Sequence, residues 1–239
     1  MNALARTGLA LALACGLAEL LAGLGYRWEW WHFRTGIQIM RWSAGADLAV
    51  VVLTLVAVVM AYRRSARGAL ITSSIGLALA LLVAGPPLYH WRLVDQLPRI
   101  HDISTDTDKP PLYVAVLPLR KGAENSTDFS AEVALLQKKA YPDIAPALLE
   151  SSPAQAYARA ERAARAMGWE IVAAVPEDLR IEATDTTLLF GFKDDVVIRI
   201  SAVANGSRVD VRSLSRVGRS DFGVNANRVR KFLKQLSAG

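Results

Sequence analysis

Three apolar stretches, at about Thr7–Gly25, Ala44–Tyr62 and Ala69–Leu88, set the strongest limit on what this chain can fold into. Each is close to the ~20 residues that an α-helix needs to cross a bilayer core. A helix satisfies its own backbone groups in lipid, so runs of this kind have few other folded solutions. The first stretch could instead be a cleaved signal peptide. Its apolar run continues well past a short h-region, which favours a retained anchor. A lipoprotein reading of Cys15 in "LALAC" is disfavoured, because Ala12 stands where a large aliphatic is usual and the sequence stays membrane-like beyond it.

The rest of the chain has a different character. Residues 1–97 hold 8 Lys+Arg and 4 Asp+Glu, whereas residues 98–239 hold 20 and 18. The second part has about 140 residues, enough for one self-supporting core. The expected organisation is a three-helix membrane anchor over 1–97 and a soluble domain over 98–239.

Arginine asymmetry in short loops predicts orientation. "RRSAR" places Arg63, Arg64 and Arg67 in a tight turn, and Arg6 lies on the same side. The first loop also carries Arg27, Arg34 and Arg41, with Trp28, Trp30, Trp31 and Trp42 at the expected membrane boundary. With the "RRSAR" turn in the cytoplasm, the soluble domain is expected on the opposite side of its membrane, which in a bacterium would be the periplasmic side of the inner membrane. Glu19 and Asp47 interrupt the apolar runs and are expected near helix ends, solvated at the interface. Small residues at Ala14/Ala18/Ala22 and Gly76/Ala80/Ala84 predict close packing of the three helices. Pro86-Pro87 and Pro98 mark the exit from the membrane.

Cysteine and histidine usage narrows the chemistry. Cys15 is the only cysteine, so no intramolecular disulfide can form, and thiol-rich zinc or redox sites are excluded. His32, His90 and His101 are the only histidines, so no metal site or cofactor is expected. Asp102, Asp106 and Asp108 in "HDISTDTDKPP" suggest calcium, but the spacing is not that of an EF-hand loop. A polar linker is the expectation there.

"LYVAVLPL" over Leu112–Leu119 reads as a short strand, "SAEVALLQKKA" as a short helix, and "YPDIAPALLESSP" as an irregular arm. Ser152 and Pro153 open the clearest helix, which runs to Met167 before Gly168. Strands follow at about Trp169–Val175, Leu179–Thr184, Thr187–Phe192, Val196–Val203 and Arg208–Leu214, with Asn205-Gly206 as the strongest hairpin signal. Val196, Ile198 and Ile200 alternate with Val197, Arg199 and Ser201. "VNANRVRKFLKQL" closes the chain as an amphipathic helix with Val229, Phe232, Leu233 and Leu236 inward. The expected class is α+β: an antiparallel β-meander with helices packed on one face.

The segments "HDISTD", "YPDIAP", "EATDTTLLFGFKDDVVIRI" and "DVRSLSRVGRSDFGVNANRVRKF" resemble the bacterial family known as domain of unknown function 1499, over about Arg99 to Leu236. The resemblance implies a domain boundary. It implies no activity, cofactor or catalytic residue.

Chemistry concentrates near the end of the chain. From Arg199 to Lys234 there are nine Lys+Arg against Asp210 and Asp221, a local charge of +7. Arg199, Arg212, Arg216 and Arg219 present planar donors suited to carboxylate or phosphate. Ser213, Ser215 and Ser220, with Asp221, Asn225 and nearby backbone N–H groups, complete a candidate anion-binding set. In the competing structural reading these arginines pair with Asp185, Asp194, Asp195 and Asp210, and Asp221 caps the last helix. Catalysis would rest on Asp194-Asp195 as acid or base with Ser215 or Ser220 as nucleophile, but adjacent strand residues point to opposite faces and no histidine lies nearby to activate a serine. Location and the lack of interleaved aromatics argue against nucleic acid.

The reading is a membrane-anchored envelope protein, more a binder than an enzyme, whose domain takes an anionic ligand or an envelope partner. The alternatives are an envelope hydrolase of a phosphate or glycan bond, and an assembly subunit acting through Glu19, Asp47 and the small-residue stripes.

Overall fold

The structure is a computed structural model that describes residues 1–94 and 96–238. The chain divides into two compact units: Met1–Asp95 with Leu188–Gly191, and Gln96–Thr187 with Phe192–Gly239.

The first unit contains three helices long and apolar enough to cross a membrane: α1 (Asn2–Arg27), α2 (Phe33–Arg63) and α3 (Arg67–Val94). Each packs on the other two. Small residues make this possible. Gly76, Ala80, Ala84 and Ala22 are buried as expected, but the rest of the buried stripe on α1 is Ala5, Gly8 and Ala12, whereas Ala14 is exposed. A Cβ on Gly8 would lie 2.8 Å from Thr54 Cγ2, and one on Gly76 3.2 Å from the Leu9 backbone nitrogen. Pro86 and Pro87 do not end α3, which continues to Val94.

The second unit is an antiparallel sheet with helices. In chain order it comprises β1 (Asp102–Ser104), α4 (Ala131–Ala140), β2 (Ala147–Leu149), α5 (Pro153–Ala166), β3 (Glu170–Val175), β4 (Arg180–Thr186), β5 (Lys193–Val203), β6 (Gly206–Ser215) and α6 (Val224–Ala238). The strand order is β1-β6-β5-β4-β3, and β2 shares the outer edge of β6 with β1. The class is α+β, with a meander from β3 to β6.

One sheet face carries the core. Ile181, Val196, Ile198, Ile200, Val209 and Val211 meet Ala156, Ala160, Ala163 and Ala164 of α5 and Val229, Phe232 and Leu236 of α6. Trp169 stacks on Phe232 with ring centroids 5.5 Å apart. Ser152 and Gln155 close a full capping box on α5, as the Ser-Pro start implies.

Several local expectations need correction. Residues 187–192 form the loop between β4 and β5, because β4 runs on through Asp185 and Thr186. The β5–β6 turn is Ala204-Asn205, since Val203 pairs with Gly206. Gly206 is instead required within β6: its φ is +133°, and a Cβ there would lie 2.0 Å from Leu149 O. Residues 102–104 are a buried strand rather than a linker. Gln137 pairs with Ser104 N–H (2.9 Å) and C=O (2.6 Å), completing the backbone bonds of β1. Residues 112–119 form no strand; coil leads into a 3₁₀ turn at Leu117–Arg120.

Candidate functional site

The second sheet face is largely polar, with Val197 and Leu214 packed on Tyr113 and Val116, and is covered by residues 105–129, a long excursion with little regular structure. A segment that leaves the sheet must find other partners for its N–H and C=O groups. The face provides them. Glu182, fully buried, accepts the N–H groups of Val114, Ala115 and Val116, each at 3.0 Å, and also pairs with Arg180. Arg199 donates to Lys109 O at 3.0 Å, Arg212 to Pro111 O at 3.2 Å and Thr127 O at 2.6 Å, and Arg216 to Leu119 O at 2.8 Å.

The same arginines are neutralised by buried acids. Asp195, with no exposed surface, accepts from Arg120 (2.5 Å), Arg216 (2.8 and 2.9 Å) and Thr184 (2.8 Å). Arg212 forms a bidentate pair with Asp102 at 2.6 and 3.0 Å. Its guanidinium lies 5.0 Å from the Tyr113 ring centroid and 5.3 Å from that of Phe129. Burial pushes the Asp102 carboxyl up, against the opposing pull of Arg212. Arg199 and Arg208 share Asp106 and Asp210. Asp106 loses some stabilisation to burial, but the N–H groups of Lys109 and Asp108 and the two arginines hold its carboxyl below the usual range.

The other candidates face the helices. Ser213 donates to Asn225 Oδ1 at 2.7 Å, and Asn225 Nδ2 donates to Ser215 Oγ at 2.9 Å. Arg228 joins this group and pairs with Asp185 (2.7 Å) and Asp194 (2.6 Å). Asp194 and Asp195 therefore serve opposite faces. Asp221 accepts from Gly223 N–H (3.0 Å) and Asn225 N–H (2.5 Å) at the start of α6. Burial raises its carboxyl, and those two N–H bonds oppose the rise.

The predicted set thus divides between two faces, and most of its members bond to one another. The polar turn between β6 and α6 is held from beneath: Asn125 Nδ2 donates to Ser215 O (3.0 Å) and Gly218 O (2.9 Å). Gly218 and Gly223 have φ of +91° and +79°, which the turn requires. Ser220 Oγ accepts from Phe222 N–H at 3.3 Å.

Arg219 is the exception. It is exposed, and its side chain has no partner among the described residues; only its carbonyl is engaged, by His101 at 3.4 Å. Asp221 N–H bonds to Ile100 O and Ser215 N–H to His101 O, so Arg99, also exposed, runs beside the same turn. Arg99 likewise has no side-chain partner among the described residues.

A family model described as "Protein of unknown function (DUF1499)" matches residues 102–236. The chain belongs to this family. No curated protein and no solved structure matches it. The DUF1499 match begins on the first residue of β1 and reaches the last turn of α6. It therefore includes both partners of the Asp102–Arg212 pair.

Sequence reasoning did not single out Glu182, Arg120, Asn125 or Arg228. Glu182 had a signal: it lies between the buried apolar Ile181 and Ala183 on a strand, and so points to the polar face. Arg120 and Asn125 had none, because their partners lie 75 and 90 residues away.

Proposed function

We propose that this is a membrane-anchored envelope protein whose C-terminal domain lies outside the cytoplasm. It binds an anionic ligand or the acidic surface of a partner, and does not catalyse a reaction. The observation that carries this reading is the contrast between paired and unpaired arginines. Arg199, Arg212, Arg216 and Arg228 are committed to carboxylates, whereas Arg219 on the braced turn and Arg99 on the segment beside it are exposed without side-chain partners among the described residues. A guanidinium held on a fixed backbone loses less freedom when it meets an anion.

A protein partner is favoured over a free small anion by an exposed apolar strip, Leu112, Val114, Leu117 and Leu119. The strip ends at the carbonyl that Arg216 holds, three residues before Arg219. Against catalysis, the Asp195 carboxylate has its hydrogen-bonding capacity filled by two arginines and Thr184. The placement outside the cytoplasm rests on Arg63, Arg64 and Arg67 around the turn between α2 and α3.

Detergent-solubilised full chain, titrated with polyglutamate and separately with inorganic phosphate, tests the binding. Salt-sensitive polyglutamate binding that Arg219→Ala abolishes is expected, with phosphate weaker. Equal binding by Arg219→Ala would remove the reading's basis. A reporter enzyme active only outside the cytoplasm, fused after Gly239, should be active; silence would reverse the topology.

A further inference from the structure

The helical unit contains an acid pair that the proposed function does not use. Asp47 is fully buried, and neither of its carboxylate oxygens has a hydrogen-bond partner. It occupies the buried stripe of α2, between Ser43 and Val50, so packing rather than chance holds it inside. It lies fourteen residues from Phe33 and sixteen from Arg63, roughly 20 Å along the helix from either end. Because Asp47 is fully buried among the helices, the solvation expected for its carboxyl is not what the structure has. Glu19, on α1, also has a buried oxygen, Oε1, without a partner.

The two acids lie one turn to either side of one level of the bundle. Ser43 Oγ donates to Cys15 O at 2.9 Å, which fixes the relative height of α1 and α2. Glu19 lies one turn after Cys15 and Asp47 one turn after Ser43, on helices running in opposite directions. Side chains lean toward the N-terminus of their own helix, so both carboxyls lean back toward the Cys15–Ser43 level.

No cation answers them. The nearest basic residue along α2, Arg41, is exposed, and α3 has no ionisable side chain between Arg67 and Tyr89. Among the described residues of α1 and α2, Cys15 is the titratable group beside them, at the level that Ser43 fixes. A buried carboxylate with neither a counter-charge nor a donor is neutralised by protonation rather than kept ionised. A metal cation would need several further oxygen ligands, and no group of metal-ligating residues occurs among the described residues.

We propose that Glu19 and Asp47 form a proton-binding site in the membrane-spanning unit, which holds at least one proton at neutral pH. The test uses the full chain in membranes or detergent, treated with dicyclohexylcarbodiimide, an apolar reagent selective for protonated carboxyls, at about pH 8, where ordinary carboxyls are ionised. Peptide mass analysis should find the adduct on Asp47 or Glu19, with the signal falling to background in the Glu19→Gln/Asp47→Asn double variant. Infrared spectra of untreated protein should show a protonated carboxyl band at neutral pH that Asp47→Asn removes while the melting temperature is kept. Absence of both the adduct and the band overturns the proposal. So does an adduct suppressed by sodium chloride but not by choline chloride, which would make a metal cation the occupant.

Discussion

Asp195 shows what the acidic residues of this domain do. It lies beneath two guanidinium groups and a threonine hydroxyl, and those guanidiniums in turn hold the carbonyls of Leu119 and Asn125. Asp195→Asn leaves Arg120 and Arg216 without their charge partner in a site that excludes water. A loss of about 3–5 kcal/mol is expected in denaturant unfolding. A loss below about 1 kcal/mol would mean that the two arginines reach solvent. Asp106 allows a test by pH. Its folded carboxyl is held below the usual value of about 3.9, so its contribution is fully present above that value and is lost as pH falls through the lower folded value. Asn at this position can still accept the N–H groups of Asp108 and Lys109 but not the charges of Arg199 and Arg208. Asp106→Asn should therefore destabilise the protein by about 1 kcal/mol at pH 7, because these arginines are partly exposed. Melting curves of the two forms should converge in acid; a pH-independent gap would refute the charge account.

At the scale of elements, what could be read from the chain and what could not follow one physical rule. The long strands β5 and β6 satisfy themselves by pairing, and their alternation of Val196, Ile198 and Ile200 against Val197 and Arg199 was visible in the sequence. The helices α5 and α6 were visible for the same reason, through Ser152-Pro153 and the Val229/Phe232/Leu236 face. Residues 105–129 were not, because their backbone is satisfied by Glu182, Arg199, Arg212 and Arg216 from distant strands. "LYVAVLPL" has the composition of a strand but lies against a carboxylate instead of a neighbouring strand. The candidate residues were legible as a cluster, yet their division between two faces, with Arg199, Arg212 and Arg216 on one and Ser213, Ser215 and Asn225 on the other, depends on a register no local pattern states. Gly206 is similar: the Asn-Gly signal located the hairpin one residue late. What demands glycine is the strand β2 pressing Leu149 O against that position. Gly206→Ala should cost more than about 1 kcal/mol, read as a lowered unfolding midpoint; an unchanged midpoint would mean β2 gives way freely.

The whole molecule combines two solutions to burying polar groups. In the DUF1499 domain every buried acid discussed above has a cation or an N–H group to bond. In the helical unit Asp47 has neither, and protonation takes the place of a partner. The paired arginines are thus part of what makes the domain fold, which leaves the exposed ones for recognition. That division is the account's central claim. Its most direct test is the polyglutamate titration of full-length wild type and Arg219→Ala at matched salt. The account predicts that Arg219→Ala loses the binding while melting within a few degrees of wild type. Wild-type affinity in Arg219→Ala, or no binding by the wild type, would contradict it.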